Sequence, residues 1–585
     1  MTQFSNQQVA QTFRDIADAM EVLGENRFKF QAYARAADTI DELPISLYDY
    51  LAAQTLDDIP GVGPAIAAKI TELLTSGTMP FRERLRAQVP DGVLEMVRVP
   101  GVGPKTALRL YRELEITGVD ELEQAARAGR LRTLKGLGPK VEARVLEALA
   151  QRGAADEPQR FLLGDLLPLA RELSAALRAA SSAAEVSYAG SVRRAAPTGG
   201  NIDLVAAAGD PAIVLRAFAE LPHVARVESA DEQRIEVQLH NGKSCSLLVA
   251  RPDAWGAALA LWTGSAAHRA RLLALATERG FALSEQGLLR DGSLVPTPGE
   301  AALYEALGLA WIPPELREDR GEFEAAQADR LPRLVELADL RADMHTHTEW
   351  SDGQPTVAQV AEAALARSYE YYVISDHSFY MGMVNGLDAA RLQQQRAEID
   401  AVNAEMQRRG FAFRLLQGCE VDILPDGSLA LADDVLATLD WVVASLHVSL
   451  RQERATVTQR LLNAIRNPYV DCIGHPTGRK LLRRAPADLD LDAVLAAAAE
   501  TGTVLEVDGA YERLDLDAEH VQRAIELGIH ICIDSDAHRV VDLAGIEYGV
   551  LTARRGWAQR EHVINCWPWA EVAALRASRA KGRSA

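Results

Sequence analysis

The sequence predicts a multidomain chain of α+β and α/β class. It should be helical at its N-terminus, mixed in the middle, and end in a distorted barrel of parallel strands and helices. Three observations predict this. A Gly-x-Gly-Pro unit recurs three times before residue 140, which marks repeated helical corners. A Gly-Ser turn, a pair of arginines and a short apolar strand follow one another over 186–205. Beyond residue 342, short apolar runs alternate with helical patterns, as a parallel sheet requires.

The bulk numbers set limits. A chain of 585 residues suggests roughly three to five domains, and 48% hydrophobic with 25% charged residues is globular composition. No apolar run approaches the roughly 18 residues that span a membrane, and the first residues lack the basic and apolar regions of a signal peptide. The five cysteines are scattered, which fits reduced thiols and gives no thiolate metal site. A cytoplasmic monomer without membrane contact is expected. The net charge of −20 argues, taken whole, against a nucleic-acid partner. Charge acts locally, however: residues 80–152 are modestly basic, and a carboxylate-rich metal site makes a chain acidic without repelling its substrate once ions are bound.

In chain order, Val9, Phe13, Ile16, Met20 and Leu23 recur at helical spacing and form a core face. The repeat comes next. Gly61 and Gly63, Gly101 and Gly103, and Gly136 and Gly138 are each followed by a proline and a helical pattern; Lys105 follows the second. Glycines let backbone N–H groups approach a phosphate, and proline fits the first helical turn. Such units grip a DNA strand without reading its bases. The set resembles the helix-hairpin-helix elements of DNA-repair proteins. After a hinge-like stretch at 153–158, Gly190, Ser191, Arg193 and Arg194 precede a strand carrying Asn201 and Asp203. This resembles the nucleotidyltransferase signature, in which Gly-Ser and arginine hold a triphosphate and paired aspartates hold two divalent ions. The segment with Gly264 and Ser265 resembles that family's nucleotide pocket, and 311–321 resembles the segment closing the polymerase unit.

The sequence departs from that pattern at its centre. Asn201 stands where the first metal aspartate belongs, leaving Asp203. The third aspartate falls at Ser246, Leu248 replaces an arginine, and Arg269 replaces an asparagine. An Asn241-Gly242 two-residue hairpin would pair Val237 with Ser246 and turn Glu236 to the opposite face. Two lost carboxylates predict weak or absent polymerase chemistry.

From 342 the strand ends carry ligands. His345 and His347 lie two apart, so a strand aims both at one point. Asp352, His377, Glu420, His447, His475, Asp536 and His538 recur at the ends of apolar runs, where parallel barrels gather function. Nine ligands imply two or three ions. Arg479 and Arg513 are candidates for gripping phosphate, and Asp508, Arg513 and Asp515 for shaping the mouth.

This last part resembles the polymerase-and-histidinol-phosphatase (PHP) domain, and the chain from near residue 1 to about 575 resembles bacterial family X DNA polymerases. The resemblance implies seven-odd barrel strands, a trinuclear site preferring Mn2+ (Zn2+ as alternative) with Glu420 bridging, and 3′→5′ exonuclease activity. It also implies Mg2+ or Mn2+ at the polymerase site if that is active. By the same resemblance Lys69 is a candidate for Schiff-base chemistry at a deoxyribose phosphate, although a neighbouring family lysine is Ala65 here. The expected domains are a DNA-end-binding helical domain over 1–80, a two-hairpin domain over 81–153, a palm over 154–255 and a thumb over 256–320. A linker over 321–341, the PHP domain over 342–575 and a disordered basic tail over 576–585 follow. The expected function is a DNA-repair exonuclease acting on gapped or 3′-ended DNA, with impaired polymerase activity. A fully active gap-filling polymerase using deoxynucleoside triphosphates, with an editing PHP domain, and a non-catalytic DNA-end scaffold are the alternatives.

Overall fold

The computed structural model describes residues 4–583 except 44, 98, 135, 153–158 and 383. The hinge expected at 153–158 therefore lies outside the described residues. The chain forms two compact units. One comprises Met1–Gln159, Leu173–Ala183 and Asp210–Val249; the other comprises Arg160–Glu172, Ala184–Gly209 and Ala250–Ala585.

In the first unit, helix Asn6–Val22 starts at Ser5, whose hydroxyl accepts from the Gln8 N–H. Its apolar stripe is the core: Val9, Phe13, Ile16 and Met20 are buried. The three repeats share one geometry. Gly61, Gly101 and Gly136 take positive φ of 82°, 98° and 95°, open to glycine without strain. Each precedes a helix that begins on proline, Pro64–Ser76, Pro104–Leu114 and Pro139–Arg152. The residue between the glycines (Val62, Val102, Leu137) is buried, so the hairpin is pinned from beneath and its backbone faces outward. Lys105 is exposed on the second such helix.

The same unit holds antiparallel strands Val224–Ala230, Arg234–Leu239 and Ser244–Ala250. Their register corrects the sequence expectation. Leu239 N–H donates to Lys243 O, closing a three-residue loop, and Glu236 rather than Val237 lies opposite Ser246. Directly opposed residues share a face, and Ser246 Oγ lies 3.4 Å from Glu236 Oε1. Tertiary contacts set this loop: Gln7 Nε2 donates to Asn241 O at 3.2 Å, and the buried Lys243 ammonium meets Glu42 at 2.6 Å.

In the second unit, Glu185–Tyr188 pairs antiparallel with Ile202–Ala207, and helices Trp255–Thr263, Ala266–Glu278 and Glu300–Ala306 carry a separate apolar cluster. The segment expected as an acidic linker is built into this packing: Glu322 is buried, Phe323 and Ala326 join the cluster, and Val335 is in the barrel core.

Among the described residues the barrel has six parallel strands in sequential order: Tyr371–Ile374, Arg414–Asp422, Trp441–Ser445, Cys472–Gly474, Val504–Asp508 and Ile531–Asp534. Sequential order with helical crossovers is the parallel-sheet arrangement. The 343–347 stretch, expected as a regular strand, is instead a stave between first and last. Val373 N–H donates to Asp343 O, Ser375 N–H to Thr346 O, and His347 N–H to Ala537 O. A buried acid array replaces the regular ladder: Asp534 accepts from Met344 N–H and Asp343 from Ser535 Oγ. The basic tail is a second correction. Helix Trp569–Arg583 continues through it, and Arg576 Nε donates to buried Asp471 at 2.9 Å while Arg579 caps the Asp471 and Val470 carbonyls. An unpaired Asp471 would be costly, so these arginines order the segment.

Candidate metal centre and nucleotide cradle

The nine expected ligands converge at the ends of the barrel strands. Glu420, 1% exposed, is the hub. Its Oε1 is 3.0 Å from His475 Nε2 and 3.1 Å from His447 Nε2; its Oε2 is 2.8 Å from His377 Nδ1, 3.4 Å from His345 Nε2 and 3.7 Å from His347 Nε2. Asp536 Oδ1 lies 3.1 Å from His347 Nε2, and Asp352 Oδ1 lies 3.4 Å from His538 Nε2 and 3.6 Å from His377 Nε2. Three overlapping groups can each hold an ion: His347 with Asp352, His377 and His538; His345 with His347 and Asp536; and His377 with Glu420 and His447.

The surroundings aim these donors. His345 Nδ1 is 2.5 Å from Glu506, and His447 Nδ1 is 2.9 Å from Asp422, which turns each Nε2 inward, the arrangement that orients metal-binding imidazoles. Burial would push the Glu420 carboxyl up, yet His447, His377 and His345 hold it well below the ordinary carboxylate range. Burial, with His377 and His538 facing it, drops His347 to about 3; burial and the Arg513 charge drop His475 to about 3. Both stay neutral at pH 7, the form that ligates a metal; against burial, Glu420 and Asp422 raise His447 to about 10, and Asp352 and Asp536 raise His538 to about 9, so a cation would displace a proton at each. Among the described residues, His345 Nε2 and His347 Nδ1 are buried without a hydrogen-bond partner, a cost that a coordinated cation removes. Imidazole nitrogen with carboxylate oxygen suits Mn2+, Zn2+ or Fe2+. The residues fit two or three such ions.

The secondary candidates divide. Arg513 lies in the cavity wall with Nε 3.3 Å from Asp508 and 3.8 Å from Asp536. Arg479 does not face it: its guanidinium is spent on the Arg513 and Leu514 carbonyls and on Asp517. Asp515 accepts from Thr477 N–H and Oγ1 and braces the His475 loop. Sequence reading missed Asp422 and Glu506, although each sits two residues from another acid on its own strand, Glu420 and Asp508.

The residues expected to cradle a nucleotide are folded together but internally paired. Gly190, at φ 60°, lets the turn pass Asp203; a Cβ there would sit 2.1 Å from Asp203 Oδ2. Asn201 Nδ2 donates to Asp203 Oδ1 at 2.7 Å, so the amide that replaces the first aspartate occupies the second. Ser191 Oγ is close enough to Gly199 that a Cβ there would reach it at 2.8 Å. Arg193 forks onto Glu300 at 2.7 Å and onto Thr263; Arg194 reaches Glu318 and the Thr263 carbonyl. Ser265 caps helix Ala266–Glu278, and Gly264 admits the His268 ring. Glu300 also binds Arg317, which is fully buried. Burial opposes the Glu300 charge, but Arg317 and Arg193 keep it ionised far below the ordinary range. Its contribution is thus present above ordinary carboxylate pKa values and lost as pH falls below them. Glu300→Gln is expected to destabilise this unit by about 3–5 kcal/mol, because two guanidinium groups lose their counter-charge. A urea midpoint shift worth less than about 1 kcal/mol would contradict this.

Lys69 is half-buried on helix Pro64–Ser76, its Nζ 5.3 Å from the Phe81 ring centre and 3.3 Å from the Ala65 carbonyl.

Comparison with known proteins agrees with this layout. The family model for a helix-hairpin-helix domain matches residues 4–79, that for a SAM-like helix-hairpin-helix tandem 93–151, that for the DNA polymerase beta thumb 258–318, and that for the PHP domain 343–509. The DNA polymerase/3′-5′ exonuclease PolX of Bacillus subtilis (strain 168) is 36% identical over 567 residues, 96% of this chain and 97% of that one. A probable phosphatase of Thermoanaerobacter sp. (strain X514) is 29% identical over 238 residues, 38% of this chain and 89% of its own. A probable phosphatase of Photobacterium profundum is 31% identical over 215 residues, 35% of this chain and 81% of its own. With hairpins, thumb and barrel present in one order along its whole length, the chain belongs to the family X DNA polymerases that carry a C-terminal PHP domain.

Proposed function

We propose that this protein trims DNA from 3′ ends in its PHP domain, using manganese, and that its polymerase half serves chiefly to hold the DNA. The observation that carries the reading is the convergence of nine candidate ligand side chains at one place, with five of the imidazoles gathered on Glu420. His345, His347, Asp352, His377, Glu420, His447, His475, Asp536 and His538 would hold the ions, which lower the pKa of a water and stabilise a leaving 3′-oxygen when bound. Glu506 and Asp422 keep His345 and His447 in one tautomer. Arg513 places a cation beside the acids and is suited to a phosphate oxygen. The outward hairpin backbones supply sequence-independent grip on gapped or 3′-ended DNA, which fits a cytoplasmic repair role for a monomer.

A second reading, a working gap-filling polymerase with an editing nuclease, gains from the strand register, which puts the Glu236 carboxylate on the Ser246 face. One assay separates the two. A labelled primer on a gapped template, given manganese and all four nucleotides, should only shorten; robust net lengthening would favour the second reading. Lys69 is the proposed lyase residue. Borohydride should trap it on a 5′-deoxyribose-phosphate end and fail in Lys69→Ala; no trapping in the wild type removes the assignment.

A further inference from the structure

Seven of the nine candidate ligands, all but His345 and His347, line a cavity of about 790 Å³. That volume lies within the range of roughly 300–1,000 Å³ that encloses an organic ligand, well beyond what a lone phosphate needs. One wall is aromatic: Tyr511 remains 37% exposed and meets Tyr548 edge to face at 5.8 Å. This wall is not made by the barrel alone. Helix Leu163–Ala180, some 180 residues upstream of His345, contributes Pro168 and Arg171 to the cavity. Its first turn packs on the Tyr511 ring so closely that a Cβ on Gly164 would fall 2.3 Å from Tyr511 Cγ. Arg171 is fastened to Glu547 on the barrel side. Lys480 and Arg539 add cations at the rim.

We propose that Tyr511, backed by Gly164 and Tyr548, is the face on which a nucleobase of the substrate stacks while its phosphodiester lies over the metal ligands. Tyr511 is thus a specificity-determining residue that makes the cavity select polynucleotide ends over small phosphoesters. This rests on the nuclease reading above. Every base offers a π-face, so such a platform serves all sequences, and stacking on an aromatic ring is worth about five- to hundredfold in binding. A flat ring held from behind loses little freedom on binding, and Lys480 in the same cavity lining is the cation suited to a neighbouring phosphate. The match to the probable phosphatase of Thermoanaerobacter sp., 238 residues, is too short to cover both Gly164 and His538.

The test compares wild type, Tyr511→Leu and Tyr511→Phe in the full-length, manganese-loaded protein on a labelled single-stranded oligonucleotide and on bis(p-nitrophenyl) phosphate. The ratio of kcat/KM for the oligonucleotide to that for the small diester should fall at least about tenfold in Tyr511→Leu, mostly through KM, and return in Tyr511→Phe. In EDTA, fluorescence of a 3′-terminal 2-aminopurine should be quenched on binding to wild type and Tyr511→Phe but not to Tyr511→Leu. An unchanged ratio, or a Tyr511→Phe protein as poor as Tyr511→Leu, overturns the proposal while leaving the nuclease reading intact. A wild type that cleaves the small diester but not the oligonucleotide overturns both.

Discussion

Glu420→Gln should abolish the nuclease, lowering turnover by at least about 10³-fold while leaving DNA binding within about twofold. The side chain is buried and sits within 3.7 Å of five imidazoles. Its two oxygens face different groups, His447 and His475 on one side, His345, His347 and His377 on the other. A side chain so placed would suit a ligand shared between ions. Glutamine keeps the volume and one acceptor but loses the charge, and it puts an N–H₂ donor where a cation should bind. Charge stabilisation of a developing oxyanion is usually the largest catalytic term, with single contacts worth about 10²–10³, and removing a shared ligand disturbs more than one. The grip on DNA is assigned to hairpins in the other unit, so binding should survive. Bound metal, measured on the purified protein, should fall by at least one ion, and the thermal midpoint checks folding. Turnover within tenfold of wild type in a folded Glu420→Gln protein would show that this cluster is not the catalytic centre.

The ligands were legible because barrel chemistry is tied to strand ends, and a strand end is visible as an apolar run followed by a polar residue. His377 after Tyr371–Ile374 and His447 after Trp441–Ser445 needed no knowledge of packing. What escaped depends on contacts between distant segments. Asn241-Gly242 is a strong two-residue turn signal, yet the buried Lys243–Glu42 pair and the Gln7 contact impose a three-residue loop and reverse the face of Glu236. Arg479 had the right type and place for phosphate, but the carbonyls at 513 and 514 claim it. The basic composition of the last residues suggested disorder; a buried Asp471, invisible as such in sequence, recruits Arg576 and Arg579 into a helix. The Tyr511 wall was hidden for the same reason, since Gly164 and Tyr511 lie nearly 350 residues apart.

Asn201→Asp should raise template-directed primer extension by on the order of 10²-fold, the value of one well-placed charge at a phosphoryl-transfer centre. In the wild-type protein Asp203 is held by the Asn201 amide at 2.7 Å. That hydrogen bond is stable for two reasons: the amide donates, and there is no like-charge repulsion between position 201, just before the strand Ile202–Ala207, and Asp203 on it. Aspartate at 201 reverses both. Two carboxylates then repel in the absence of a cation, and binding a divalent ion relieves that repulsion, which is what a metal site for in-line transfer requires. The neighbouring arginines do not need to be rebuilt, because Gly190 already admits Asp203 and Arg194 is already positioned by Glu318 and the Thr263 carbonyl. The assay is extension of a labelled primer across a one-nucleotide gap with Mg2+ or Mn2+, made in a Glu420→Gln background so that trimming does not mask synthesis. Asp203→Ala should erase the gain. Adding Glu236→Ala then reads the second question: a further loss means that the carboxylate opposite Ser246 has taken over from the missing third aspartate, and no loss means that Ser246 leaves that place without an acid. If Asn201→Asp extends no better than wild type, the amide is not what limits the polymerase half. If wild type already extends well and Asp203→Ala does not reduce it, the polymerase centre lies elsewhere than at Asn201 and Asp203.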